Sequence, residues 1–254
     1  MQKMLLAERQ NRILEQLNLL GRVYAGELAE QLNVSEDTIR RDLNKMGEQN
    51  LIRRVHGGAL PLQQTTPDYI DRLNNPDNGK KRFADAGLTL IKPGQTILID
   101  SGETCRYLAS NLPLDIEVTV VTGCPLIACE LSRHKKVEVI LLGGRFFKAA
   151  LRCVGTSTTD MIRKMRFDIC FFGIYALHLK HGFSVNYLEE AEVMQVIIKQ
   201  SDKTVVMGAA DKLDKVSSHQ IAPVSELDLL ITSAEVDEQL LSSLSASGLE
   251  ILQV

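Results

Sequence analysis

The sequence predicts an α/β chain in two parts: a small, mostly helical head closed by a hairpin, then a larger α/β part with a mainly parallel sheet. Three observations carry this. Up to about residue 60, apolar residues recur at helical spacing between short breaks. From Pro61 to about Asn78 the composition turns to proline, glutamine, threonine and asparagine, which reads as a linker. Beyond it, short β-branched runs alternate with helical stretches, the pattern of buried strands in a parallel sheet covered on both faces. The expected boundaries are 1–60 for the head, 61–78 for the linker and 79–254 for the α/β part.

Within the head, Ile13, Leu14, Leu17 and Leu20 mark a first helix that Gly21 should stop. Leu28, Ala29 and Leu32 mark a short second helix. Asn33-Val34-Ser35 supplies a tight turn, and Ser35 is a good N-cap for a third helix because its hydroxyl can accept from a free backbone N–H. LIRRVHGGAL then reads as a hairpin turning at Gly57-Gly58. In the larger part the expected strands are TILID, IEVTVV, VEVILL, FDICFF, KTVVM and LDLLIT. The expected helices lie in ETCRYLASNL, CPLIACELSRH, TSTTDMIRKM and LEEAEVMQVIIKQ.

Composition narrows the function. Of 254 residues, 44 % are hydrophobic and 24 % charged, as in ordinary globular chains. No apolar run reaches the roughly 18 residues of a membrane-spanning helix, and MQKMLLAERQNR lacks the apolar core of a secretory signal. The five cysteines contain no CxxC pair, which fits reduced, buried thiols in the cytoplasm and neither disulfides nor zinc. Cys124 and Cys129 are expected in the core. HLKH, with His178 and His181, has no third ligand fixed by spacing and is read as a loop pair, so no metal site and no cofactor are expected. The net charge of −3 argues against bulk electrostatic binding of nucleic acid. The head, however, carries nine Lys/Arg against eight Asp/Glu, so its case rests on where those charges sit.

On the third helix, Ile39, Leu43 and Met46 define the buried face. The opposite face is centred on Arg41 and flanked by Asp37, Asn44 and Lys45, with Thr38 and Arg40 at its shoulders. A helix, a short turn and a second helix with an exposed cationic face form the arrangement that enters a DNA major groove. Arginine suits the task because its planar fork bonds guanine bidentately or clamps a phosphate. Arg53, Arg54 and His56 on the hairpin are placed to hold backbone phosphate as a wing would, and Ser35 opens the helix. Asp42 falls near the buried side and is expected to tie the helix to a neighbour. Two adjacent arginines alone would be an ordinary solvated face; the surrounding assembly is what argues otherwise.

In a parallel sheet the carboxyl ends of the strands share one edge, where ligands bind. That places Asp100, Ser101, Gly102, Glu103 and Thr104 beside Thr122, Gly123, Gly143 and Gly144, with Gly173, Gly208 and Lys212 further along. A helix beginning after DSGET offers its positive end to an anion, and Lys212 adds a cation.

The head, over residues 8–60, resembles the winged helix-turn-helix of the DeoR family of bacterial transcription regulators. The resemblance is carried by ERQNRIL, Glu27-Leu28-Ala29, Val34-Ser35, Thr38-Ile39-Arg40-Arg41-Asp42-Leu43 and Arg54-Val55-His56-Gly57-Gly58-Ala59. The rest, from about residue 80, resembles more loosely that family's sensor domain, which looks like a sugar-phosphate isomerase fold reused for sensing. Here the carriers are Lys80 with Phe83-Ala84, ILIDSGET, VVTG, LLGG, Val154-Gly155, FDICFFG, LEEAEV with Glu190, and Ala210-Asp211-Lys212. The resemblance implies that these positions surround a phosphorylated sugar-type effector. The chain departs from the family pattern at Glu103, where serine or threonine is usual, at Gly123 for asparagine, and at Asp211 for serine. A carboxylate at a phosphate cradle repels a dianion, so the departures leave phosphorylation of the effector open.

The expected function is sequence-specific binding of double-stranded operator DNA by a repressor of a carbohydrate operon. A sugar or sugar-phosphate effector would control it, and the chain would act as a homodimer or homotetramer with no membrane partner and no catalytic residues. The rival class is a sugar-phosphate isomerase-like enzyme with an accessory DNA-binding head. It would need an acid/base pair from Asp100, Glu103, Glu190 and Asp211.

Overall fold

The computed structural model describes residues 6–20, 22–49, 51–55, 57–61 and 79–254. His56, the helix stop at Gly21 and the linker from residue 62 to 78 lie outside the described residues. The chain folds as two compact units, Met1–Pro67 and Asp68–Val254.

The first unit contains α1 (Leu6–Leu20), β1 (Val23–Tyr24), α2 (Ala25–Leu32), α3 (Glu36–Glu48), β2 (Ile52–Val55) and β3 (Gly58–Pro61). Asn33 ends α2 in the left-handed conformation at φ 51°, a conformation asparagine tolerates, and its N–H caps the helix carbonyls. Ser35 caps α3 by accepting from the Thr38 N–H. Ile13, Leu17, Leu28, Ile39, Leu43, Met46 and Ile52 are buried together, so the helical periods of three segments converge on one core. The strands pair in the order β1-β3-β2, all antiparallel. At Gly58 a Cβ would collide with the Val23 carbonyl oxygen, so only glycine lets β3 lie against β1.

The second unit is built on a seven-stranded sheet. Its strands are β4 (Thr96–Ile99), β5 (Val118–Thr122), β6 (Val137–Leu141), β9 (Ile169–Gly173), β12 (Thr204–Met207), β14 (Leu229–Thr232) and β15 (Glu250–Gln253), in the order β15-β14-β12-β9-β4-β5-β6. Every pairing is parallel. Successive side chains feed two cores: Leu98, Cys170, Phe172, Val206 and Leu230 face one, and Ile97, Ile99, Phe171, Val205 and Ile231 face the other. Helices α4 (Gly79–Leu88), α5 (Glu103–Ser110) and α6 (Pro125–Leu131) contribute to the second core. Helices α7 (Thr156–Ile162), α8 (Leu188–Lys199) and α9 (Glu238–Ala246) contribute to the first.

The sheet gains β15, which carries no continuous apolar run, and two appendages the strand pattern does not announce. One is the hairpin β7 (Arg145–Phe147) with β8 (Arg152–Val154); the other is an antiparallel sheet of β10 (Ala176–His178), β11 (Gly182–Val185) and β13 (His219–Ala222). Cys129 corrects the expectation of a core thiol. It is exposed, because α6 turns Ile127 and Leu131 inward and the residue midway between them outward.

Candidate functional site

On α3 the residues expected at DNA are arranged in two groups. Asp37, Arg40, Arg41, Asn44 and Lys45 are exposed and Thr38 is half-buried. Ser35 and Thr38 are occupied with each other, their hydroxyl oxygens 2.8 Å apart at the helix start. Arg40 pairs one turn back with Glu36 at 2.8 Å, a surface pair of small energetic weight. Arg54, half-buried on β2, donates from Nε to Asn44 Oδ1 at 2.9 Å and from Nη1 to the Gly58 carbonyl at 2.5 Å. It therefore bolts the hairpin to α3. Arg41, Lys45 and Arg53 form no ion pair among the described residues. Behind this surface Asp42 is buried and receives Nε and Nη2 of Arg9 from α1, and that bond raises the Arg9 guanidinium further above its ordinary pKa. Asp42 thus ties helix to neighbour, as its inward position predicts.

In the second unit, the carboxyl edge of the sheet collects most of the residues expected there. Asp100 follows β4, and Gly102, at φ 130°, turns the chain into α5. Glu103 is buried at the first position of α5 and pairs with Lys80 of α4 at 2.5 Å. Thr104 is buried beside it, and Ser101 and Gly102 remain half-exposed.

The centre of the group is a residue that motif reading missed. Arg152, on β8, is 3 % exposed, donates to Asp100 Oδ1 and lies 3.8 Å from Glu190 Oε1 of α8. Its Nε is buried without a hydrogen-bond partner. Burial pushes the Asp100 carboxyl above its ordinary range, against the pull of Arg152 and of a bond from the Ser101 backbone. The available signal was a lone arginine inside the otherwise apolar ALRCVG.

Backbone contacts explain how β8 reaches this edge. The Gly123 carbonyl accepts from Cys153 N at 2.8 Å, and buried Thr122 accepts from Cys124 N at 3.1 Å. The Gly143 carbonyl accepts from Thr158 Oγ1 at 2.7 Å, and a Cβ on Gly144, at φ 143°, would collide with Thr158. Gly143 and Gly144 thus seat the β8–α7 corner. Lys212 pairs with its neighbour Asp211 at 2.8 Å and has no hydrogen bond or ion pair to the Arg152 group. The His178 and His181 rings lie with centroids 4.8 Å apart and planes tilted by 45°, and Asp214 lies 3.5 Å from His178. Among the described residues no three metal-ligating side chains converge. No helix among them is long and apolar enough to cross a membrane.

Comparison with known proteins matches both units. Residues 9–65 match the DeoR-like helix-turn-helix domain, and residues 76–234 match the DeoR C terminal sensor domain. The HTH-type transcriptional regulator GlpR of Haloferax volcanii is 30 % identical over 251 residues, covering 98 % of each chain. The HTH-type transcriptional repressor GlcR of Bacillus subtilis is 30 % identical over 247 residues, 96 % of this chain and 95 % of that one. The glycerol-3-phosphate regulon repressor of Escherichia coli K12 is 30 % identical over 228 residues, 89 % of this chain and 90 % of that one. All three relatives are regulators of transcription.

Proposed function

This chain belongs to the DeoR family of DNA-binding transcription regulators, and from that premise we propose that it represses a carbohydrate-metabolism operon and is released by a sugar-type effector. The DNA surface is the exposed face of α3 with the hairpin β2–β3. One observation supports it: among the described residues Arg41, Lys45 and Arg53 have no ion-pair partner, while Arg9–Asp42 and Arg54–Asn44 hold the helix and hairpin that present them. Arg41 and Lys45 read the groove, Arg53 holds phosphate, and Asp37, Thr38, Arg40 and Asn44 line the contact. The effector site is the carboxyl edge around Arg152, with Asp100, Glu103, Lys80 and Glu190. An effector bound there shifts the chain between two states only through different affinity for each.

Footprinting on the source genome locates the operator, and titration of that site at fixed salt tests the surface. Arg41→Ala is expected to lose specific binding, by about 1–3 kcal/mol per half-site, with the fold retained. Undiminished operator selectivity in Arg41→Ala overturns the assignment.

A further inference from the structure

We propose that the outer face of the head's small sheet is a second DNA surface, on which Arg22 and Tyr24 join Arg53 in holding the sugar–phosphate backbone. This rests on the DNA-binding reading above and adds β1 to the surface named there. Register places the residues together. On β1 Val23 is buried and Tyr24 is 46 % exposed; on β2 Ile52 is buried, Arg53 is exposed and Val55 is 38 % exposed. Alternate side chains of a strand take opposite faces, so Tyr24, Arg53 and Val55 share the face turned away from the core. Tyr24 and Val55 both pair with Gly58 of β3, which has no side chain to fill the space between them. Arg22, just before β1, lies over the Tyr24 ring with its guanidinium carbon 5.8 Å from the centroid, and so stands on that face too. The Ala25 N–H donates to the Gly57 carbonyl at 2.9 Å and fastens the end of β1 to the hairpin turn.

Two arginines far apart in the chain thus stand on either side of β3, about 10 Å apart at the backbone. Neither has a side-chain hydrogen bond or ion pair among the described residues. The segments that build the face, RVY, IRRV and GALP, contain no acid. Arginine stays charged at every physiological pH, and its fork matches phosphate oxygens. The Tyr24 phenol adds a neutral donor, and Val55 offers methyl groups to a sugar. The breadth of the face assigns the contact. A major groove admits a helix or a two-stranded ribbon, and three strands are too wide to enter it. Such a face meets backbone, so its contribution is electrostatic and blind to sequence.

A salt titration of the full-length chain on the footprinted operator and on an unrelated duplex of equal length tests this. Arg22→Ala is expected to weaken both duplexes by the same factor and to flatten the slope of log affinity against log salt by about 0.9 for each head engaged. Arg22→Lys, which keeps the charge, should keep the slope. Arg22→Ala combined with Arg53→Ala should flatten it twice as far as either alone. Tyr24→Phe, which keeps the ring beneath Arg22 and removes the hydroxyl, should weaken both duplexes about threefold with the slope unchanged. A parental slope in Arg22→Ala, or a loss confined to the operator, overturns the inference and leaves the α3 surface standing. A parent chain that binds the two duplexes alike overturns the DNA-reading surface itself.

Discussion

Asp42 and Arg41 are adjacent in the chain and do opposite work, because one step along a helix rotates a side chain by about 100°. Arg41 is presented to solvent, while Asp42 is buried and bonded to Arg9. Both roles are legible in the spacing of Ile39, Leu43 and Met46, since helical period alone assigns inside and outside. Removing Asp42 takes from the half-buried Arg9 guanidinium the carboxylate that accepts two of its N–H groups. Asp42→Ala should therefore lower the stability of the first unit by about 3 kcal/mol, read as a lower urea midpoint. Replacing both partners, Arg9→Met with Asp42→Leu, should restore most of that loss. A double variant as unstable as the single one would show that the ion pair is not what Asp42 supplies. Arg152 is the contrasting case. Its partners are Asp100, 52 residues away, and Glu190, so no local period could reveal it.

The elements that could be foreseen are those whose pattern is local and repeated. α3 declares itself through its N-cap and amphipathic stripe, and the central strands through short, nearly continuous apolar runs. β7 and β8 have three residues each, too few for an alternation to stand out, and β15 is largely solvent-facing at the sheet edge. The same limit applies to the site: Asp100, Glu103 and Glu190 lie in motifs, while the hairpin that brings Arg152 among them does not. Close approach of strands is also invisible until the fold is known. At Gly58 the β3 backbone passes so near Val23 that a methyl group cannot fit. Gly58→Ala should destabilise the hairpin by about 1–3 kcal/mol, through forced separation of β1 and β3. Hydrogen exchange is expected to quicken at Val23, Tyr24 and Ala59, which form that register. Unchanged exchange at these amides would show that the strands part without cost.

For the whole molecule the overall charge of −3 and the slightly basic head set the terms on which DNA is bound. A chain that repels DNA in bulk must hold it through a few cations and multiply them by presenting more than one head, since a single recognition helix reads only a few base pairs. We therefore propose a homodimer or homotetramer assembled through the second unit, and the salt dependence of binding counts the heads engaged. Each phosphate contact contributes a slope of about −0.9 in log affinity against log salt concentration. Arg53 is exposed and unpaired among the described residues, and a phosphate contact by it recurs once in every head on DNA. Arg53→Ala should flatten the slope by about 0.9 for a monomer and about 1.8 for two engaged heads, with sequence preference kept. Sedimentation at micromolar concentration should give the matching mass. A monomer in sedimentation both free and on DNA, with the smaller change in slope, would overturn the assembly and leave the single-head surface intact.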